Sequence, residues 1–257
     1  MKDEKRFMQD VGMSELPFPM KVLSRDCKEG QHTIAKISVA ARIMHEFEAR
    51  WIDKFIQILH QHRANLGTET LKGNILEYMN ELNATKVKVD YSYPFFVEKR
   101  TPVSKDPCLV SYMCNFSASA SKSDLKPKTS LKITVPCITS YPTSELDKPG
   151  GLFGQLSNVE IEVQSQKAIY PEDIIEIVDK HALVPVYSFL TEEDQSYIIS
   201  KVHLQKKSSV VMVDEIKEEL ANIREIEGYS VTCFNFGMLH SYRTFIGTAK
   251  SMWIPLS

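Results

Sequence analysis

The sequence has 257 residues, enough for one large domain or two of about 125 residues each. Its 31 Lys and Arg against 33 Asp and Glu leave a net charge of −2, which argues against a nucleic-acid-binding protein, because such proteins need excess basic residues to neutralise phosphates. Hydrophobic residues at 43% and charged residues at 25% are ordinary globular values and exclude a disordered chain.

Membrane and secretory segments are not expected either. No apolar run approaches the roughly 18 residues that a membrane-spanning helix needs. The charged start of the chain, Met1 to Arg6, leads into no apolar segment, so we expect no signal peptide. The five cysteines are scattered without a Cys-x-x-Cys pair, which indicates reduced thiols. We therefore expect a cytoplasmic protein without nucleic-acid or membrane partners.

The first half predicts two strands, two helices and two strands. Apolar residues alternate with polar ones in the strands and recur every three to four residues in the helices. The predicted strands are 18–24, 31–43, 86–93 and about 108–118, and the predicted helices are 48–62 and 69–82.

The second half repeats this order. Its first helix begins at Pro171, and another is capped by Ser208 or Ser209 and followed by Gly228. The predicted strands are 131–135, 159–163, 229–236 and 242–249. Residues 117–130, rich in Ser, Ala and Lys, are predicted to be a linker, and the charge run 192–194 a solvated face. The chain is thus predicted to contain two ββααββ repeats, 1–127 and 128–257.

Such repeats have open sheet edges, and open edges invite pairing with another chain. We therefore expect an α+β protein whose antiparallel sheets close into an inter-subunit β-barrel with the helices outside. A homotetramer or a homodimer would provide this closure.

Two histidines are candidate site residues. His32 follows Gly30 at the start of a predicted strand, and His240 lies between the last two strands. Imidazole can exchange a proton near neutral pH, but each residue is equally compatible with a hydrogen-bonded structural histidine. No nucleotide-binding glycine motif, zinc-protease motif or nucleophile elbow is present in the sequence.

The segment Gln31-His32-Thr33-Ile34-Ala35-Lys36-Ile37-Ser38 resembles the GTP cyclohydrolase type IB family. The resemblance continues over nearly the whole chain, from Val11-Gly12 through the helix that begins at Trp51 to His240. It implies a tunnelling fold, which is built from tandem ββααββ repeats.

The family's reactive motifs are altered at corresponding positions. Its Cys-Pro-Cys-Ser segment corresponds to Tyr141-Pro142-Thr143-Ser144, and its Gly-Ala-His-Asn-Gln-Arg-Ser segment to Gly151-Leu152-Phe153-Gly154-Gln155-Leu156-Ser157. The family holds a divalent metal with one Cys, two His and one Glu, and the resemblance places these ligands at Tyr141, Phe153, His240 and Gln195. Only His240 retains the family's residue type, so we expect no metal and no other cofactor.

Two functions remain open. The first is a metal-independent biosynthetic enzyme that binds a purine, a pterin or another planar heterocycle in an inter-subunit pocket. His240, His32 and Tyr141 are its candidate catalytic residues, and Gln31 and Gln195 its candidate ligand-binding residues. The second is a catalytically inactive paralogue with a binding or assembly role.

Overall fold

The computed structural model describes residues 8–44, 51–64, 66–165, 167–237 and 239–251. Within these ranges the chain forms nine strands and five helices. In chain order they are β1 (Met8–Val22), β2 (Gln31–Met44), α1 (Trp51–His62), α2 (Thr68–Glu81), β3 (Lys86–Arg100), β4 (Pro107–Ser121), β5 (Asp124–Ser140), β6 (Gly154–Ser165), α3 (Pro171–His181), β7 (Val184–Pro185), α4 (Glu192–Leu204), α5 (Ser209–Asn222), β8 (Ile226–Phe236) and β9 (Arg243–Lys250).

The described strands hydrogen-bond in the order β1-β2-β3-β4-β5-β6-β8-β9, with β7 beside β5. The pairs β1–β2, β2–β3, β5–β7 and β8–β9 are antiparallel. Short connections also join β3 to β4 and β4 to β5, and connections this short fit only antiparallel neighbours. The predicted α+β class with antiparallel strands is therefore confirmed. None of the described helices is long and apolar enough to cross a membrane.

The chain divides into two compact units. The first comprises the residues up to Pro94 together with Cys114–Leu131 and Gln164–Tyr170. The second comprises Phe95–Met113, Lys132–Val163 and the residues from Pro171 onwards. The two predicted repeats, 1–127 and 128–257, remain a prediction, and so do the inter-subunit barrel and the oligomer.

The core of the first unit includes the apolar faces of α1 and α2. Phe55, Ile58 and Leu59 are buried on α1, at the spacing of one helical face. The rings of Phe55 and Tyr78 pack with centroids 4.9 Å apart, which joins the two helices. Burying each large apolar side chain contributes roughly 1.5–3 kcal/mol to folding.

A buried ion pair lies in the second unit. The Lys99 ammonium on β3 pairs with the Asp179 carboxylate on α3, and it lies 5.2 Å from the ring centroid of Tyr112. The Lys99 and Asp179 side chains are only 9% and 20% exposed. Burial raises the pKa of Asp179, and the Lys99 ammonium partly offsets this effect. Each buried charge is therefore stabilised by the other.

The predicted linker is wrong. Residues 117–130 belong to β4 and β5, which are joined by a turn at Lys122 and Ser123. Ala118 and Ala120 alternate with serines and are buried as ordinary strand residues. Small side chains of this kind make a buried strand look like a linker in sequence.

The charge run 192–194 begins helix α4, which the sequence analysis does not predict. Glu192 and Glu193 are exposed, as expected of a solvated face. Asp194 within the run is fully buried rather than solvated. The end of α5 is also misplaced, since the helix stops at Asn222 and Gly228 lies inside β8. The first strand starts at Met8, ten residues before the predicted 18.

Candidate functional site

Tyr141 and Phe153 lie side by side in the second unit. Tyr141 directly follows β5 and Phe153 directly precedes β6. The Tyr141 N–H donates to the Phe153 carbonyl over 2.9 Å, and the two rings stack with centroids 4.9 Å apart and planes 22° apart. Tyr141 is only 7% exposed. Two positions that the resemblance assigns to metal ligands are therefore neighbours and carry a stacked aromatic pair.

Ser144 and Gly237 lie close to Tyr141. The buried Ser144 hydroxyl donates to the Tyr141 carbonyl over 2.7 Å, which fixes the turn after β5. Gly237 follows β8, and a Cβ there would lie 3.4 Å from Cε2 of Tyr141. The end of β8 thus passes close to the Tyr141 ring, three residues before His240.

A chain of buried hydrogen bonds leads away from the pair. The Gln155 amide donates to Thr139 Oγ1 over 3.2 Å, and the Thr139 and Ser157 hydroxyls share a hydrogen bond of 2.9 Å. Ser157 donates to Asn235 Oδ1 over 2.8 Å, and Asn235 donates to the Ser209 hydroxyl at the start of α5 over 3.1 Å. All five side chains are buried, so these bonds fix the relative positions of β5, β6, β8 and α5.

The retained and replaced residues of the family motifs differ in role. Ser144, Gln155 and Ser157 keep the family's residue type, and each makes a buried hydrogen bond. Tyr141 and Phe153 replace its Cys and His. By the resemblance, the residues that make these buried hydrogen bonds are retained, while the residues at the two positions assigned to metal ligands differ. The sequence analysis does not single out Thr139 and Asn235, since a polar residue inside a strand carries no local signal of its partner.

His240 lies between β8 and β9 and is exposed. Its ring stacks on that of Tyr242, with centroids 4.8 Å apart and planes 11° apart. The two rings form a flat aromatic surface that is open to solvent. The catalytic role predicted for His240 remains a prediction.

Gln195 is exposed on the first turn of α4. Its amide donates to the Leu190 carbonyl over 3.3 Å. In the part of the chain that the structure describes, Gln195 makes no hydrogen bond to Tyr141 or His240. Its predicted role in ligand binding therefore remains a prediction.

Asp194 anchors the start of α4 to the loop between β3 and β4. One carboxylate oxygen accepts the N–H groups of Val103 and Ser104 over 2.8 and 3.0 Å. The other accepts the hydroxyls of Ser104 and Thr191, each over 2.8 Å, and the Thr191 N–H over 3.1 Å. Burial alone would raise the pKa of Asp194, but these hydrogen bonds outweigh it and hold the pKa well below its ordinary value. A capping box, Thr191-x-x-Asp194, was the available sequence signal.

We expect Asp194→Asn to lower the melting temperature clearly at pH 7. In the variant, the side-chain NH₂ group would lie opposite N–H and O–H groups that now donate hydrogen bonds to a carboxylate oxygen, and two donors cannot bond to each other. Because the folded-state pKa is lowered, the stabilisation is complete above the ordinary Asp pKa of about 3.9 and is lost as the pH falls below it. Thermal unfolding across this range should show the deficit shrinking in acid. Glu193→Gln, at an exposed neighbour, is the control and should melt like the wild type.

Gln31 and His32 belong to the first unit. They open β2, where Gln31 lies opposite Val22 and His32 opposite Lys21. His32 is exposed and Gln31 is half-buried. That both residues border the same inter-subunit pocket as Tyr141 remains a prediction.

The side chains at the positions that the resemblance assigns to metal ligands do not fit a divalent metal. Phe153 has no donor atom, and Tyr141 stacks its ring against Phe153. Thiolate, imidazole and carboxylate are the ligands that such metals need, and only the His240 imidazole is present. Among the described residues, no group of three or more His, Cys, Asp or Glu is placed to hold a metal ion.

Solved structures with a similar fold define the structural class. The uricase from Arthrobacter globiformis superposes with a TM-score of 0.55 at 8% identity, over 95% of this chain and 93% of that chain. A uricase from Bacillus fastidious gives a TM-score of 0.54 at 9% identity, over 96% of this chain and 94% of that chain. The chain therefore has the tunnelling fold, as predicted, and at these identities the likeness concerns the fold alone.

Sequence relatives define the family. The family model described as "Type I GTP cyclohydrolase folE2" matches residues 2–245. Proteins named GTP cyclohydrolase FolE2 are similar: 29% identical over 241 residues in Geobacter sp. (strain M21), covering 94% of this chain and 89% of that protein. The one from Nitrosococcus oceani is 28% identical over 244 residues, covering 95% and 90%. The chain belongs to the type I GTP cyclohydrolase FolE2 family.

Proposed function

We propose that this protein is a metal-independent biosynthetic enzyme that acts on a purine, a pterin or another planar heterocycle. The observation that carries the proposal is the stacked pair of Tyr141 and Phe153 at two positions where the family has metal ligands. The relatives are named for GTP, which contains such a ring. An aromatic surface binds a planar ring without a metal, and stacking on one contributes about 1–3 kcal/mol per ring.

Other side chains of the second unit supply polar contacts in this proposal. The Tyr141 hydroxyl can donate or accept a hydrogen bond, and the Gln195 amide can do both at once. The His240 imidazole is the candidate acid or base, since histidine exchanges protons near neutral pH. Its stacking on Tyr242 holds the ring plane while leaving it open to solvent. In the proposed enzyme, Tyr141 therefore orients the ligand and His240 moves the proton.

The proposal includes a homo-oligomer. The order of the described strands begins with β1 and ends with β9, so each of these has one edge without a partner strand in that order. Such edges favour pairing with a second copy of the chain. The ligand would bind where neighbouring subunits meet.

A second candidate is a catalytically inactive protein with a binding or assembly role. Tyr141 is only 7% exposed, and its ring already has Phe153 as a partner. Because the Phe153 ring already covers a face of the Tyr141 ring, the pair resembles a site filled by its own side chains rather than one open to a ligand. A protein of this kind would keep the fold and the oligomer without turnover.

A thermal-shift screen with purines, pterins and their phosphates separates the two candidates. We expect at least one compound to raise the melting temperature. Tyr141→Phe should weaken its binding about tenfold, because one hydrogen bond is lost while the ring stays. His240→Ala should abolish turnover of that compound, and Tyr197→Phe, at an exposed tyrosine of α4, should change neither property.

Full affinity in both site variants, with the oligomer intact, would place the ligand elsewhere. If no compound shifts the melting temperature, the binding or assembly role is favoured over the enzyme. If both variants dissociate into smaller species, the two side chains have a structural role and the proposed site is wrong.

A further inference from the structure

One histidine of the second unit has a carboxylate beside each of its two ring nitrogens. In His181, the last residue of α3, Nδ1 lies 3.0 Å from a carboxylate oxygen of Glu215 and Nε2 lies 2.6 Å from one of Glu219. The two glutamates are four residues apart on α5 and thus share one face of that helix. The His181 side chain is only 15% exposed. The ring therefore joins the end of α3 to α5 in a partly buried position.

The protonation state of this ring decides whether both contacts are hydrogen bonds. A neutral imidazole has one N–H donor and one lone pair, whereas an imidazolium has two N–H donors. An ionised carboxylate can only accept. In either neutral form of His181, a nitrogen lone pair would face a carboxylate oxygen at hydrogen-bond distance, and two acceptors repel each other. Only the imidazolium form therefore donates to both glutamates.

Two lysines complete the charges around the ring. The Lys207 ammonium, from the segment between α4 and α5, pairs with Glu215. The Lys180 ammonium of α3 pairs with Glu219 over 2.8 Å. Strand β7, which packs against α3, consists of a valine and a proline and adds no titratable group. With the ring protonated, three positive charges thus surround two negative ones.

The two carboxyls stay ionised in weakly acidic and neutral solution. The hydrogen bond from Lys207 is the main cause that lowers the pKa of Glu215. Burial alone would raise the pKa of Glu219, but the hydrogen bonds from Lys180 and His181 outweigh it and lower that pKa. Histidine is the side chain that changes charge between weakly acidic and weakly alkaline solution. A change of pH in this range therefore acts on the ring and not on its two partners.

We propose that His181 is a pH-sensitive clamp between α3 and α5, which holds while the ring carries two protons and loosens when it loses one. The two lysines continue to pair with Glu215 and Glu219 after this loss, so the change is confined to the end of α3. There the Ala182 N–H donates to the Val178 carbonyl over 2.8 Å, and this last turn frays when the ring is no longer held. The inference goes beyond the proposed function, because it requires neither a ligand nor turnover and involves none of the residues proposed to bind or react.

Amide hydrogen exchange of the full chain tests the clamp at the Ala182 N–H. A group that the folded state holds in its protonated form stabilises the fold at low pH, and this contribution is lost as the pH rises. We therefore expect the protection factor of Ala182 in the wild type to fall at least about fivefold between about pH 5.5 and about pH 8.5. In Glu219→Gln, the side-chain amide can accept from an imidazolium and donate to a neutral ring, so protection should be the same at both pH values. His181→Gln should melt about 2–4 °C below the wild type at the lower pH and within about 1 °C of it at the higher pH.

His62→Gln is the matched control, because a neutral ring suffices at that position. His62 Nε2 lies 2.7 Å from a carboxylate oxygen of Glu77, and a single N–H satisfies this contact. Any change in its melting temperature should be the same at both pH values. Wild-type protection of Ala182 that does not change with pH, or that falls equally in Glu219→Gln, would overturn the proposal. A deficit of His181→Gln that is equal at both pH values, or a pH-dependent deficit of His62→Gln, would also overturn it. The exchange comparison keeps the native His181, so it decides the question even where His181→Gln does not fold.

Discussion

Lys99→Met should lower the free energy of unfolding by about 3–5 kcal/mol at pH 7, the usual cost of removing one partner from a buried ion pair. The variant leaves the Asp179 carboxylate without its ammonium, in a site where both side chains are largely buried. Methionine fills similar volume, so the loss reports the charge rather than a cavity. Urea unfolding followed by circular dichroism gives the value.

The pH dependence of this deficit has a definite sign. Burial raises the pKa of Asp179, and removing Lys99 removes the charge that opposes this rise. An acid with a raised folded-state pKa stabilises the fold when protonated, and this contribution is lost as the pH rises through the folded-state pKa. The deficit of Lys99→Met should therefore be largest near neutral pH and should shrink as the pH falls towards 4.

Two controls check the cause. Lys180→Met removes an exposed lysine that pairs with Glu219 over 2.8 Å, and it should cost less than about 1 kcal/mol. The double variant Lys99→Met/Asp179→Leu should regain most of the lost stability, since two apolar groups replace the pair. A Lys99→Met protein as stable as the wild type would show that the pair is solvated in solution.

Local periodicity was sufficient to predict most of the elements. The predicted helix 48–62 corresponds to α1, Trp51–His62, because Phe55, Ile58 and Leu59 have the spacing of one buried face. Helix α4 is not predicted, because its apolar residues do not form one buried face: Ile198 and Val202 are buried, but Tyr197, Ile199 and Leu204 are exposed. Asp194 is buried there, and three of its five hydrogen-bond donors come from Val103 and Ser104, which lie about 90 residues away in sequence. Contacts of this range have no signature in a single sequence.

For the candidate site as for the fold, the sequence indicates which residues matter but not which contacts they make. The spacing of the altered motifs placed Tyr141 and Phe153 at corresponding positions, and the structure brings them into contact. That their rings stack depends on the hydrogen bond between their backbones and on the turn fixed by Ser144, which no pattern of residue types indicates. Gln155 and Ser157 belong to the matched motif, but their hydrogen bonds reach Thr139 and Asn235 on other strands.

The purified protein should contain far less than one equivalent of zinc, iron or manganese per chain. The resemblance implies a metal-dependent conversion of GTP to a dihydroneopterin triphosphate in the family, and this protein should carry it out at least about a thousandfold more slowly than such an enzyme. A metal-bound hydroxide contributes several kcal/mol to such a hydrolysis, and each 1.4 kcal/mol corresponds to about tenfold in rate. The resemblance assigns Tyr141 and Phe153 to the positions of the family's thiolate and imidazole, and the two rings stack on each other. Elemental analysis and a pterin fluorescence assay with added divalent metals measure both quantities.

Restoring the ligand types provides the matched variant for this prediction. Tyr141→Cys/Phe153→His/Gln195→Glu, with His240 retained, recovers the donor set that the resemblance implies. The hydrogen bond between the Tyr141 N–H and the Phe153 carbonyl keeps the first two positions adjacent, so the new thiolate and imidazole can share one ion. We expect this variant to take up more zinc than the wild type and to lose it again when His240→Ala is added. One equivalent of metal in the wild type, lost in His240→Ala together with GTP turnover, would contradict the metal-independent function.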